Sequence, residues 1–395
     1  MEIRRPREDE MRRLLELSSL SFNVPMSRIE DGPPMRPEHM LAAFDGERLR
    51  AMARDIPVQQ WFGGRPMSCA AISSVATIPE ARGTGVGKEV MRALLQRARD
   101  RGAVVTSLFP ATVPFYRRLG YEYGGVWTIY RAPLGALPRA PADAGVEVDE
   151  FDPDGDLSEI RGCYRSFADG GNGLVDGEDD DWWPNRVLQV WVRDAPTRSV
   201  VARGPSGVEG YAAFSLASRG EWKGYDVSCT HLVATTRGAA LALLGYVRRY
   251  KGVGRGVKWQ GPPNEPLALL LDEENLSVTK AYRFMTRILD VPAALEARGY
   301  PEGLSGEIVI EVDDPLFEAN AGVFRVSVEG GKARVERTDA ATSIRVGIDA
   351  LSAMFAANVS PADLLRTGAI AGDGSGLPVL ASLFAGPPPW MLDHF

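Results

Sequence analysis

A glycine-rich loop carries the clearest chemical signal in the sequence. It follows the extended apolar run Val75-Ala76-Thr77, precedes a helical pattern, and reads Arg82-Gly83-Thr84-Gly85-Val86-Gly87-Lys88. A helix that begins after such a turn presents free backbone amides to an anion, and glycines let the anion approach closely. Arg82 and Lys88 add positive charge. The loop is therefore predicted to bind a phosphate-containing ligand, and an ordinary strand-to-helix turn is the alternative.

The loop differs from two common phosphate-binding motifs. It lacks the Gly-Lys-Ser/Thr of a Walker loop and does not form a Gly-x-Gly-x-x-Gly that opens a parallel unit. The hydrophobic pattern before it predicts a helix near 11–22 and then extended pieces at 40–44, 49–61 and 67–77. An antiparallel meander therefore precedes the loop.

The pattern after the loop predicts alternating helices and strands. Apolar residues at helical spacing predict a helix over 86–98, followed by a strand at 103–109, a short helix at 114–119 and a strand at 121–130. The Pro- and Ala-rich segment 132–144 is typical of a linker between domains. The order strand, loop, helix, strand recurs at 233–259. Thr236-Arg237-Gly238 replaces the Gly-x-Gly loop there, so the second copy is predicted to lack the phosphate site.

Composition limits the function classes. The 395 residues predict two or three domains, and 45 Lys+Arg against 52 Asp+Glu give a net charge of −7, which argues against a nucleic-acid-binding protein. The three cysteines, Cys69, Cys163 and Cys229, have no paired spacing, so we expect reduced thiols and no metal site. Apolar runs are shorter than the ~20 residues of a membrane span. We expect a cytoplasmic protein.

Two motifs in order resemble the GNAT family of acetyl-CoA-dependent N-acetyltransferases. They are Arg82-x-x-Gly85-x-Gly87 after a strand and, about thirty residues later, Phe115-Tyr116-x-x-x-Gly120-Tyr121. The resemblance implies that acetyl-CoA is the cosubstrate and that the backbone of the preceding strand and the glycine loop bind it. The implied contact residues are Val75, Ala76, Thr77, Arg82, Gly83, Thr84, Gly85, Val86, Gly87 and Lys88. Ala111, where family members commonly carry serine, and Thr112 add contacts to the cofactor.

Tyr116 matches the tyrosine that protonates the departing thiolate in that family. A phenol has a pKa of about 10, so it is protonated at neutral pH and can donate its proton without tuning. The alternative is an aromatic side chain that only packs beside Phe115 and Leu119. Tyr121 and Tyr123 are competing phenols.

The whole chain resembles the Eis-like (enhanced intracellular survival) acetyltransferases. The resemblance rests on the loop, the repeat at 233–249, the segment Asp290-Val291-Pro292-Ala293-Ala294 and the ending Pro389-Trp390-x-x-Asp393-x-Phe395. It implies an α/β (α+β) fold with an active GNAT domain at 1–135, a degenerate GNAT-like domain at 145–286 and a sterol-carrier-protein-like domain at 287–395. It also implies direct transfer to primary amines of aminoglycosides or polyamines, and a homohexamer.

The same resemblance implies that the α-carboxylate of Phe395 is the general base. Three prolines stiffen the tail and Trp390 can anchor it, which favours delivery of the terminus to one place. An α-carboxyl pKa of about 3.3 to 3.7 matches an alkyl ammonium poorly, so burial or a bridging water would have to assist. A frayed terminus is the alternative. His394 and Asp393 are alternative bases.

Other charged residues are interpreted as solvated loops. Glu30 and Asp31 lie in the predicted acceptor loop 22–40, and Asp179, Asp180 and Asp181 form an acidic run. His39 and His231 are read as loop and core residues. Two other functions remain open. The chain could acetylate protein lysines, or the C-terminal domain could bind a lipid or another hydrophobic ligand beside a vestigial GNAT site.

Overall fold

The structure is a computed structural model that describes residues 1–140, 145–189, 195–272, 275–342 and 344–395. The last part of the predicted linker, 141–144, lies outside the described residues. Within the described residues, none of the helices has the length and apolar character needed to cross a membrane.

The N-terminal part contains the predicted meander and the alternating elements that follow it. Its strands are β1 (Glu2–Arg4), β2 (Met40–Asp45), β3 (Arg48–Phe62), β4 (Arg65–Thr77), β5 (Val105–Leu108) and β6 (Glu122–Pro133). Its helices are α1 (Met11–Phe22), α2 (Met26–Glu30), α3 (Val86–Asp100) and α4 (Val113–Arg117). The apolar face predicted for α3 is buried, which confirms the helical pattern.

The central part repeats this arrangement. Its strands are β7 (Glu147–Glu150), β8 (Val175–Gly177), β9 (Thr197–Gly204), β10 (Gly207–Ser218), β11 (Tyr225–Ala234), β12 (Gly254–Gly261) and β13 (Ser277–Ile288). Its helices are α5 (Ser158–Ala168) and α6 (Arg237–Arg248), and a π-helical turn spans Trp183–Val187. Strands β11 and β12 pair in parallel across α6, as β4 and β5 do across α3. The internal repeat expected from the sequence is confirmed.

The C-terminal part forms a separate sheet. Its strands are β14 (Gly306–Asp313), β15 (Gly322–Glu329), β16 (Lys332–Arg337), β17 (Arg345–Gly347) and β18 (Ile370–Ala371). Its helices are α7 (Val291–Ala297), α8 (Ile348–Phe355), α9 (Pro361–Arg366) and α10 (Leu377–Leu383). The strands are ordered β16-β15-β14-β17-β18.

One continuous sheet joins the N-terminal and central parts. Its order is β1-β2-β3-β4-β5-β13-β6-β12-β11-β10-β9-β7, with β8 also paired to β3. Strand β13 lies between β5 and β6 and is antiparallel to both. The last strand of the central part therefore completes the sheet of the N-terminal part, and β6 in turn pairs with β12. The two parts share strands rather than merely touching.

Candidate active site

A gap in the shared sheet forms the largest cavity that the structure describes in this region. Strands β4 and β5 pair only from Cys69 to Ile72, because β5 ends at Leu108. Strand β4 continues to Thr77 with β3 as its neighbour. Beyond Leu108 the space between β4 and β13 opens into a cavity of about 990 Å³. We call it the main cavity.

A β-bulge shapes the wall of the main cavity. The pairing of β3 with β4 shifts between Met52 and Arg54, so that Ser74 and Val75 occupy the extra length of β4. Ser74 has a φ of 51°, an unusual value for a residue with a side chain. A bulge bends a strand and leaves backbone groups outside the ladder. Ser73, Ser74 and Val75 all line the main cavity.

The glycine loop has the geometry expected of an anion site. Gly83 and Gly85 have φ values of +80° and +92°, which residues with a Cβ rarely adopt. In the stretches of chain that the structure describes, the amides of Gly83, Gly85, Val86 and Gly87 donate to no acceptor. A Cβ at Gly87 would lie 2.9 Å from Thr77 Oγ1. These free amides at the start of α3 fit the pyrophosphate of acetyl-CoA.

The other predicted cofactor residues divide into two groups. Val75 and Ala111 line the main cavity. Ala76 is buried and pairs with Met52, and the carbonyl of Thr77 accepts a hydrogen bond from Arg82 Nε at 3.4 Å. Ala76 thus contributes to packing, and the backbone of Thr77 holds the side chain of Arg82.

Thr112 and the loop cations lie at the surface. Thr112 is exposed, immediately precedes α4 and does not belong to the lining of the main cavity. Arg82, Thr84 and Lys88 are exposed on the loop that continues from β4. The loop therefore follows β4, the strand that forms one wall of the main cavity, and lies outside the lining of that cavity.

Tyr116 is the buried phenol of the main cavity. It is 5% exposed, lines the cavity and contacts Phe115 with ring centroids 5.0 Å apart. Burial raises the pKa of its hydroxyl to about 12. Tyr121, by contrast, is fully buried, bonds Thr106 Oγ1 at 3.0 Å and does not line the cavity.

Tyr123 remains a second phenol in the same space. It lines the main cavity, and its ring faces Arg283 on β13 with the guanidinium carbon 5.0 Å from the ring centroid. The structure therefore separates the three predicted phenols, with Tyr116 and Tyr123 at the cavity and Tyr121 in the core.

The C-terminal tail is held against β6. The carbonyl of Pro389 accepts from the amide of Val126 at 3.1 Å, and the amide of Met391 donates to the carbonyl of Val126 at 3.1 Å. Trp127 Nε1 donates to the carbonyl of Leu392 at 3.0 Å. These bonds run along the tail like those of an added strand, so its backbone is fixed.

The last two residues enter the main cavity. The carbonyl of His394 accepts from Arg186 Nη1 at 3.0 Å, and its ring stacks on Phe109 at 4.1 Å. Phe395 is 9% exposed and packs edge-on against Phe109. Both residues line the main cavity. The terminus and Tyr116 therefore reach the same space from different parts of the chain.

The two alternative bases occupy different surroundings. Asp393 is buried, and its Oδ1 lies 3.2 Å from His231 Nε2, while His231 Nδ1 lies 2.8 Å from the Tyr211 hydroxyl. Desolvation and the charges of Arg186 and Lys280 lower the pKa of His394 to about 4. His394 is therefore a neutral, weakly basic ring at neutral pH.

The corresponding helix end in the central part is closed. Thr236 Oγ1 accepts from the amide of Ala239 at 3.1 Å and donates to Glu209 Oε2 at 2.8 Å. Glu209 is buried at the start of α6. A capping hydroxyl and a carboxylate thus occupy the place where free amides would bind a phosphate. This arrangement explains why the second copy is degenerate.

Three arginines at the site were not predicted from the sequence. Arg28, Arg54 and Arg186 line a side chamber of about 320 Å³, whose lining shares Ser73, Phe395 and other residues with the main cavity. The acidic residues of the predicted acceptor loop do not line it. No local spacing distinguishes these arginines, because they come from α2, β3 and the turn Trp183–Val187.

Comparisons with known families agree with the fold. Residues 2–124 and 177–288 each match an acetyltransferase (GNAT) domain, and residues 291–392 match a sterol carrier protein domain. A Streptomyces griseus protein described as an uncharacterized N-acetyltransferase is 28% identical over 89% of this chain and 88% of its own length. N-acetyltransferase Eis from Mycobacterium tuberculosis is 28% identical over 75% of this chain and 74% of its own.

A solved structure supports the same relationship. Eis1 from Mycobacterium abscessus superimposes with a TM-score of 0.81, at 25% identity, and the match covers all of both chains. The order of two GNAT domains and a sterol carrier protein domain agrees with this similarity. The chain is an Eis-like member of the GNAT family of N-acetyltransferases, and acetyl-CoA is its acetyl donor.

Proposed function

We propose that the main cavity transfers the acetyl group directly from acetyl-CoA to a primary amine of a small molecule. The observation that carries this proposal is that Tyr116, the free edge of β4 and the chain terminus share one cavity of about 990 Å³. Holding an amine beside the donor in such a space makes a bimolecular reaction effectively unimolecular.

The donor is proposed to lie along β4 and the glycine loop. The amides of Gly83 to Gly87 would bind its pyrophosphate with help from Arg82 and Lys88, and the backbone of Val75 to Thr77 would hold the pantetheine and the acetyl carbonyl. Ala111 would add a contact through its backbone, and Thr112 another at the start of α4. When bound, acetyl-CoA supplies a thioester whose carbonyl carbon accepts the amine.

Two groups are proposed to move protons. The α-carboxylate of Phe395 would take a proton from the acceptor ammonium, directly or through a water, and Tyr116 would give its phenolic proton to the sulfur. A pKa of about 12 keeps Tyr116 protonated at neutral pH. His394 is a weaker candidate base because its pKa is lowered to about 4, and Asp393 already contacts His231.

The acceptor is a primary amine. Aminoglycosides or polyamines, which the resemblance implies, remain the first candidates, and protein lysine is a second. A cavity with the chain terminus inside it suits a small amine better than a folded protein surface. A hydrophobic-ligand role for the residues 287–395 is a third candidate. The domain bounds 1–135, 145–286 and 287–395 and the homohexamer also remain predictions.

The experiment is acetyl-CoA turnover against a panel of aminoglycosides, polyamines and a lysine peptide. The wild-type chain is compared with a variant that carries two extra glycines after Phe395. We expect the extended variant to bind acetyl-CoA normally and to lose turnover, because its carboxylate is displaced from the cavity. Retained turnover would assign the base to another residue. Absence of turnover with every amine, although acetyl-CoA binds, would contradict the proposed reaction.

A further inference from the structure

The side chamber has an unusual charge for a site that would hold polycationic acceptors. It adjoins the main cavity at Ser73, Ser74 and the last two residues of the chain. Its volume, about 320 Å³, suits a small molecule. Arg28, Arg54 and Arg186 all line it.

None of these arginines forms an ion pair with a described residue. In the described parts of the chain, no carboxylate lies within ion-pair distance of the three guanidinium groups. Arg54 is 6% exposed, donates from Nη2 to the carbonyl of Pro34 at 3.0 Å and leaves Nε without a partner. Arg186 donates to the carbonyl of His394. Arg28 is exposed on α2.

Among the described residues, the acidic side chains beside the chamber contact groups other than its arginines, and Asp55 and Asp179 act on Arg54 through their charge alone. Asp55 contacts Arg97 and Arg101, and Asp181 contacts Arg36. A third acidic residue, Asp179, lies 3.5 Å from His39.

Two acidic groups line the chamber itself. Asp393 contacts His231, and its other carboxylate oxygen has no partner among the described residues. The α-carboxylate of Phe395 is the second group. Of these two, only Phe395 also lines the main cavity, and the three arginines outnumber the two acidic groups of the chamber.

A buried cation without a counterion is costly, and neighbouring cations repel one another. Burial and the charge of Arg186 lower the pKa of Arg54 to about 10, but Arg54 stays charged at neutral pH. Guanidinium groups bind carboxylate and phosphate oxygens in pairs of charge-assisted hydrogen bonds. An anionic group in the chamber would therefore satisfy donors that the protein leaves free.

We propose that the acceptor is an amine that also carries a carboxylate or phosphate group. The anionic group would contact the arginines while the amine faces the terminal carboxylate of Phe395. A polyamine or aminoglycoside would instead bring further positive charge to three unpaired guanidinium groups. The proposal rests on the proposed acetyl transfer and specifies the acceptor class for that same site.

The test compares acceptors that differ only in one terminal group. Linear amines of three to six carbons are used as sets of aminocarboxylate, amino alcohol and diamine, with aminoalkyl phosphates as a parallel series. At the best chain length we expect kcat/KM for an anionic member to exceed that of the alcohol by about tenfold or more, the worth of a charge-assisted contact. The better of the two anionic series identifies carboxylate or phosphate.

Arginine variants show whether the chamber causes the preference. Arg28→Gln should lower the ratio of kcat/KM for anionic acceptors to kcat/KM for neutral acceptors, mainly through KM. Arg54→Lys should lower the same ratio while keeping a buried charge. Arg12→Gln is the matched control, because Arg12 is an exposed arginine on α1 that contacts Glu16 outside the chamber. Its ratio should equal that of the wild type.

The outcomes separate this inference from the reaction itself. Turnover of amines with no preference for an anionic group at any length, or with a preference for diamines, would overturn the inference and leave the acetyl transfer intact. An anionic preference that neither arginine variant changes would also overturn it. No turnover of any amine, with acetyl-CoA binding retained, would count against the proposed reaction instead.

Discussion

Replacement of Tyr116 by Phe tests the proton donor with the smallest change in shape. The ring of Tyr116 packs against Phe115 and Tyr121, and these contacts remain in the variant. Among the described residues the hydroxyl has no hydrogen-bond partner, so its loss leaves no orphaned group. We therefore expect Tyr116→Phe to fold normally and to bind acetyl-CoA with unchanged affinity.

The expected loss of rate follows from the surroundings of the hydroxyl. General acid catalysis contributes about 10²- to 10⁴-fold, and it is most efficient when the pKa of the acid lies near the operating pH. The pKa of Tyr116 is raised to about 12, which places this phenol at the lower end of that range. We expect kcat to fall about 10²-fold, or about 2.7 kcal/mol in the barrier.

The pH dependence has a definite sign. Because the pKa of Tyr116 is raised, the phenol keeps its proton through the neutral and moderately alkaline range and loses it only as pH approaches about 12. The wild-type kcat should therefore show no alkaline decrease from this group well below that pH. A decrease near pH 9 that disappears in Tyr116→Phe would contradict the buried environment.

Steady-state release of the CoA thiol gives kcat, and calorimetry gives the affinity for acetyl-CoA. Tyr123→Phe is the matched control in the same cavity, and Tyr121→Phe is the control in the core. Both should retain kcat. If Tyr116→Phe kept kcat within about twofold while Tyr123→Phe lost it, the acid would be Tyr123 and our reasoning on Tyr116 would be wrong.

Three further predictions concern the cofactor, the tail and stability. Gly85→Asp should abolish acetyl-CoA binding in calorimetry, whereas Gly102→Asp should not. Both glycines have a positive φ and open space, so only the position of the charge differs. In the wild type we expect one acetyl-CoA per chain, because the second helix end is closed, and a chain extended beyond Phe395 should keep that stoichiometry. Arg287→Leu should lower the free energy of unfolding by about 3 kcal/mol in denaturant titrations, since it leaves the buried carboxylate of Asp314 without its partner at 2.9 Å. Adding Asp314→Asn should restore part of the loss.

The sequence predicted the elements whose signals are local. The spacing of apolar residues over 86–98 predicted α3, and the hydrophobic pattern predicted strands β2 to β4. Strand β13 was not predicted. Its first half, Ser277–Arg283, is exposed and lacks a period of two, and its partners Arg131 and Leu108 lie far away in the sequence. Long-range pairing of a polar strand leaves no local pattern.

The residues of the candidate site also divide into those with a local sequence signal and those without one. The glycine loop and Tyr116 have recognisable spacing, because each acts from one short segment. The tail was predicted from a resemblance, and its prolines and Trp390 gave only a weak physical reason. The arginines of the side chamber had no recognisable signal in the sequence, because an arginine that faces a cavity and an arginine that faces solvent look alike there. Glu30 and Asp31 of the predicted acceptor loop were interpreted as solvated residues, and they do not line the chamber.

The central part contributes residues to the main cavity, although its own helix end is closed. Thr236 and Glu209 close its own helix end, yet its strand β13 fills the place between β5 and β6 and provides Tyr282 and Arg283 to the main cavity. Without β13, one edge of β5 and one edge of β6 would be unpaired, and the cavity would lose one wall. The tail then needs β6 in this position, because its hydrogen bonds are made to that strand. The central part, whose own helix end is closed, is therefore the frame that holds the strands of the N-terminal part and the chain terminus around one cavity.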